Sequence, residues 1–152
     1  MTQGKTNHER AEALSRRRTQ MLPAMAAIYF SQQAIYFSAV DGTRPVDYLM
    51  IGAWVLLSAA LLAMLLTRGG WFQPAAVRAL LDDERTAANR MEGIRAGFIG
   101  AIGIAIFIYL ASAVAPISAR GAIHLIVSLS LGLALLRFGM LERSDAGDEA
   151  DA

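Results

Sequence analysis

Four blocks of apolar residues dominate the sequence, at residues 21–40, 46–67, 96–115 and 122–141. Each block has about 20 residues, and a helix of that length, at ~1.5 Å per residue, crosses a hydrocarbon layer of ~30 Å. Because lipid offers the backbone no hydrogen-bond partners, such blocks are expected to be helices. The pattern predicts an all-α integral membrane protein with four transmembrane helices.

The polar segments between and around these blocks define the rest of the chain. Residues 68–95, between the second and third blocks, place apolar side chains at helical spacing among charges, which predicts an amphipathic connection on the membrane surface. Alternatively, Asp82 and Asp83 cap a second helix that has Glu84 in its first turn. The sequence leaves both arrangements open. The polar tail 1–20 and the acidic tail 142–152 are expected to be disordered.

Positive charges are distributed unevenly over the predicted connections. Twelve of the 14 Lys and Arg residues lie before the first block, in 68–95 or at the end of the fourth block, and only Arg44 and Arg120 lie in the other two connections. By the positive-inside rule, both termini and the connection 68–95 are cytoplasmic. The first block follows Arg16, Arg17 and Arg18 in the manner of a signal peptide, but its apolar run exceeds the ~7–15 residues of a signal core, which favours a retained helix.

Composition excludes several kinds of chemistry. The chain is 55% hydrophobic, above the ~45–50% of ordinary soluble domains, and it contains no cysteine. Disulfides, thiolate catalysis and cysteine-based metal sites are therefore excluded. A net charge of +1, with its basic residues explained by topology, predicts no nucleic-acid partner.

The first block repeats Ile-Tyr-Phe-Ser at seven residues, with two glutamines between the copies. On a helix of about 100° per residue this repeat creates a candidate polar face. Its members are Tyr29, Gln32, Gln33 and Tyr36. An amide without a hydrogen-bond partner costs several kcal/mol inside a membrane, so these groups are expected either to link helices or to line a polar path.

Small residues form two candidate packing faces, where helix backbones can approach closely. The first, opposite the glutamines, consists of Ala27, Ser31, Ala34 and Ser38. The second, on the third predicted helix, consists of Gly93, Gly97, Gly100 and Gly103. The two faces are expected to meet each other, or one of them to meet a partner.

Ionisable side chains are scarce within the predicted spans. Arg137 lies about one turn from the cytoplasmic end, and His124 lies near the outer end of the fourth helix. As a haem or metal ligand His124 lacks co-ligands, since His8 is predicted on the opposite side. A quinone or lipid contact is left open as the alternative to an interfacial histidine bonded to a neighbouring backbone, which is favoured. The chain resembles the small four-helix multidrug transporters only in size and helix count, and it has glutamine where they carry a membrane-embedded glutamate.

The segment DDERTAANRMEGIRAGF, residues 82–98, resembles the Asp-Glu-x-Thr-x-x-x-Arg segment before a membrane helix in several groups of small, uncharacterised bacterial inner-membrane proteins. The resemblance covers about seventeen residues and implies only class and location.

Taken together, these features predict a non-enzymatic protein of the bacterial inner membrane, with no cofactor. It is expected to act by helix–helix association within the lipid bilayer, as an accessory or assembly partner of another membrane protein or as a homo-oligomer. The alternative is a small uncoupled transporter, or a membrane protein that binds a lipid or small molecule, with a polar path at Tyr29, Gln32, Gln33 and Tyr36.

Overall fold

The computed structural model describes residues 20–32, 45–67 and 84–148. These residues belong to four helices: α1, helical over 20–32, α2 (Pro45–Leu66), α3 (Glu84–Ala111) and α4 (Ala119–Asp148). The predicted all-α fold with four helices is confirmed. Pro45–Leu66, Glu84–Ala111 and Ala119–Asp145 are each long and apolar enough to span a membrane, which indicates a multi-pass membrane protein. The predicted span 21–40 is described only as far as residue 32.

Local signals account for several helix ends. Pro45 is the first residue of α2, where its missing N–H would have no intrahelical partner in any case. Ser118 caps α4, because its Oγ accepts a hydrogen bond from the backbone N–H of Gly121 at 3.1 Å. The α4 helix therefore begins at Ala119, three residues before the predicted start.

Two helices extend further than the hydropathy pattern indicated. Residues 84–95 are continuous with α3 rather than a separate helix on the membrane surface, and residues 142–148, expected to be disordered, extend α4. At ~1.5 Å per residue, α3 (28 residues) and α4 (30 residues) are about 42 Å and 45 Å long, well above a ~30 Å hydrocarbon layer. The charged ends of both helices therefore extend past the apolar part. The cap proposed at Asp82 and Asp83 lies outside the described residues.

The α4 helix is the centre of the bundle. Its Ala134 and Phe138 lie against Gly93 of α3, and its Ser130 lies against Gly97, so rising numbers in α3 meet falling numbers in α4 and the two helices are antiparallel. On another side of α4, Gly132 lies against Phe30 and Gly139 against Leu22 and Pro23 of α1. The α1 and α3 helices thus pack on different faces of α4.

The apolar core lies between α1, α2 and α4, and its fully enclosed members include Ala26, Tyr29 and Leu135. The α3 helix packs extensively on α4, whereas α2 makes far fewer contacts with α4. Large apolar side chains on α2 and α3 are consequently exposed, among them Leu56 (73%) and Tyr109 (77%). A surface of this kind suits hydrocarbon rather than water.

Candidate functional site

The hydroxyl group of Tyr29 connects α1 to α2. Tyr29 is fully buried, and its hydroxyl oxygen lies 2.6 Å from Oγ of Ser58, a distance typical of a strong O–H···O hydrogen bond. Ser58 is buried as well. One member of the predicted polar face therefore links two helices of the same chain.

The remaining members of that face do not share this environment. Gln32 is exposed at the surface of the chain, and its side chain forms no hydrogen bond with any residue in the described ranges. Gln33 and Tyr36 lie outside the described residues. The predicted arc is therefore not buried as a unit: the inward side of α1 carries Tyr29, while Gln32 lies on the outward side.

The small face of α1 is also on the outside. Ala27 and Ser31 are both exposed, and Oγ of Ser31 donates a hydrogen bond to the backbone carbonyl of Ile28 at 2.8 Å. That bond satisfies the hydroxyl within the helix itself, as serine in membrane helices often does. Ala34 and Ser38 lie outside the described residues. The described part of this face meets no other helix of the chain.

The glycine face of α3 divides into two parts. Gly93 and Gly97 are buried, and a Cβ atom added at either would lie 2.7 Å from a backbone carbonyl oxygen of α4, at Ala134 and Ser130 respectively. Gly100 faces the side chain of Leu133, whereas a Cβ atom at Gly103 would meet nothing within 4 Å. The glycine face therefore packs on α4 and not on α1, and only its first three members take part.

Trp54, which is partly buried, and the buried His124 and Ser128 form a polar group between α2 and α4. The Nε1–H group of Trp54 donates a hydrogen bond to Oγ of Ser128 at 3.1 Å. The rings of Trp54 and His124 lie with their centroids 4.4 Å apart at an interplanar angle of 33°. His124 is only 3% exposed, so it is enclosed by protein.

A cleft of about 350 Å³ opens beside this group, at the end of the bundle where α2 and α4 begin. Its walls are formed by Ile51, Trp54 and Ile123, with Arg120 and His124 as the polar residues. Within the described residues, no three side chains of His, Cys, Asp or Glu are grouped in a way that could hold a metal ion.

A second polar group joins α3 and α4 at the opposite end of the bundle. The amide nitrogen of Asn89 donates hydrogen bonds to Glu142 at 3.2 Å and to Asp145 at 2.7 Å. Nearby, Arg137 of α4 and Glu92 of α3 form an ion pair at 4.0 Å, with both side chains about half exposed. Exposed ion pairs of this kind contribute little to stability, on the order of 0–1 kcal/mol. The hydrogen bonds of Asn89 therefore contribute more than this ion pair to holding α3 and α4 together.

Sequence reasoning missed most of these residues. Trp54 and Ser58 lie four apart on the same face of α2 as the buried Leu61 and Leu65, and that spacing is a usable signal. Asn89 offered no comparable signal, because its partners, Glu142 and Asp145, were assigned to a disordered tail.

Comparison of the chain with protein-family models, with curated proteins and with solved structures finds no match. The interpretation of function therefore depends on the geometry of the chain itself.

Proposed function

We propose that the chain is a non-enzymatic protein of the bacterial inner membrane that acts by associating, through α1, with another membrane protein or with a second copy of itself. The observation that carries the proposal is the exposed Gln32 of α1. In the predicted span 21–40, Gln32 lies near the middle of the membrane, where an amide exposed to hydrocarbon costs several kcal/mol. A neighbouring helix that supplies hydrogen bonds removes this cost.

A second exposed face of α1, made of small side chains, supports the same conclusion. Ala27 and Ser31 are four residues apart, which is the spacing at which small residues let two helix backbones approach closely. By contrast, the hydroxyl groups of Tyr29 and Ser58 and the indole group of Trp54 form hydrogen bonds between helices of the same chain. The hydrogen bond of Tyr29 to another helix of the same chain weighs against the alternative, in which the candidate polar face of Tyr29 and the glutamines lines a continuous polar path.

Substitution of Ala27 by leucine tests the association directly. Because Ala27 is exposed, Ala27→Leu is expected to leave the monomer folded while it removes the larger species seen after crosslinking in native membranes. Gln32→Leu is expected to weaken the same species about 3- to 30-fold, the equivalent of one interhelical hydrogen bond of ~0.6–2 kcal/mol. Both variants are compared with wild type by crosslinking and by thermal unfolding in detergent.

Ala105→Leu is the matched control, because Ala105 is exposed on α3 in the neighbourhood of large apolar side chains such as Ile102 and Tyr109. It should leave the larger species intact. If Ala27→Leu and Gln32→Leu both leave the crosslinked species unchanged, association through α1 is refuted.

The orientation of the chain is a separate part of the proposal, with both termini in the cytoplasm. It is supported by the twelve-to-two distribution of Lys and Arg. Alkaline phosphatase, which is active only outside the cytoplasm, is expected to be inactive when fused after Ala152 and active when fused at Gly42. The reverse pattern of activities would invert the orientation.

A further inference from the structure

We infer that the cleft between the first three turns of α2 and the first two turns of α4 binds the phosphate and the upper acyl chain of an anionic glycerophospholipid. This site is separate from the α1 surface proposed for association, and it does not depend on that proposal. Its volume of about 350 Å³ is within the ~300–1,000 Å³ range of ligand sites.

The walls of the cleft are suited to hydrocarbon. Ile51 and Trp54 of α2 and Ile123 of α4 form them, and Ile123 is 58% exposed, so its side chain is accessible from the surface. A soluble ion gains nothing from such walls, whereas the first methylene groups of an acyl chain gain dispersion contacts with them. The apolar lining therefore favours a lipid over a free phosphate ion.

Arg120 provides the charge that selects the headgroup. It is exposed at the cleft and forms no ion pair with any residue that the structure describes, in contrast to Arg137, which pairs with Glu92. A guanidinium group binds a phosphate through two parallel hydrogen bonds. Among the residues that the structure describes, the lining of the cleft includes this cation and no acid, which favours an anionic over a zwitterionic headgroup.

The position of the cleft agrees with the depth of lipid phosphates. Arg120, Ile123 and His124 lie in the first two turns of α4, and Ile51 lies in the second turn of α2. These turns are at the ends of two candidate membrane-spanning helices, where headgroups and Trp side chains meet. His124, whose ring packs on Trp54, adds a polar group to the interior of the cleft for the glycerol or ester region of the lipid.

Native mass spectrometry of the purified chain, after exchange into detergent with phosphatidylglycerol or phosphatidylcholine, tests this inference. Wild type is expected to retain one phosphatidylglycerol in preference to phosphatidylcholine. Arg120→Gln is expected to reduce that retention about tenfold or more, because it removes hydrogen bonds to a charged group, while Arg120→Lys retains part of it. Arg143→Gln makes the same change in charge at the opposite end of α4 and should have no effect.

A second variant tests the walls independently of the charge. Ile123→Trp places a larger side chain in the cleft from an exposed position, so it is expected to abolish retention of phosphatidylglycerol while the chain stays folded. Equal retention of the two lipids by wild type, or unchanged retention in both Arg120→Gln and Ile123→Trp, would overturn the inference. Displacement of phosphatidylglycerol by millimolar glycerol 3-phosphate would also overturn it, because the site would then recognise a soluble phosphate.

Discussion

A Gly97→Ala variant is expected to unfold at a lower temperature in detergent than wild type, with a net loss of about 1–2 kcal/mol in the free energy of unfolding. The new Cβ atom would lie 2.7 Å from the carbonyl oxygen of Ser130 and 2.9 Å from Cβ of Ala134, so α3 and α4 must separate. Overpacking of this kind typically costs ~1–3 kcal/mol. Part of that cost is offset by the higher helix propensity of alanine, by up to ~1 kcal/mol.

Gly103→Ala provides the matched control, since it makes the same chemical change on the same helix where a Cβ atom meets nothing within 4 Å. The gain in helix propensity then remains without a clash, and this variant is expected to be as stable as wild type or more stable by up to ~1 kcal/mol. The difference between the two variants measures the closeness of α3 to α4. Equal melting temperatures for the two would mean that the backbones are not in contact at Gly97.

Asn89→Ala is expected to release the ends of α3 and α4 from each other, at a cost of about 1–3 kcal/mol. The substitution removes the donor of two hydrogen bonds to carboxylate groups, and bonds to charged acceptors are among the stronger ones. It also removes the amide that lies between the carboxylates of Glu142 and Asp145. Glu142 is only 6% exposed, so water does not readily replace that amide. Amide hydrogen exchange in residues 142–148 should therefore become faster, as measured by mass spectrometry.

Ser144→Ala is the control for this experiment, because Ser144 is exposed in the same helical segment. Its exchange pattern should match that of wild type. Should residues 142–148 exchange equally slowly in Asn89→Ala, the contact with α3 would not be what keeps this end of α4 helical.

The two predictions concern different parts of one helix pair. Between Gly93 and Gly100 the pair is held by close backbone approach, where dispersion supplies the attraction in an apolar environment. Beyond Gly93 the same two helices continue past the length of a hydrocarbon layer, and polar contacts of Asn89 and Arg137 replace the close packing. The contacts between α3 and α4 thus change from close packing to hydrogen bonds and an ion pair at the point where the surroundings are expected to change from lipid to water.

The sequence by itself determined the helical class and the places of the long apolar helices. Runs of about 20 apolar residues have few alternatives to a helix in lipid, and this constraint depends only on local composition. The sequence also favoured an interfacial structural role for His124, which stays a prediction, and the structure places the centroid of its ring 4.4 Å from that of Trp54. The helix ends were less accurate, because the Ser118 cap and the polar turns of α3 and α4 do not alter hydropathy.

Only the tertiary structure decided which faces meet. The chain has small residues on α1, α3 and α4, and any two such faces could approach closely, so composition does not choose among the pairs. In the fold, α3 contacts α4 at Ala134 and α1 contacts it at Gly132 and Gly139, and the described part of the small face of α1, at Ala27 and Ser31, is exposed. The polar contacts depend in the same way on the fold, since Asn89 and Asp145 are 56 residues apart and meet only because α3 and α4 are antiparallel. Pairing of this kind is set by the simultaneous fit of all the helices, which no local pattern encodes.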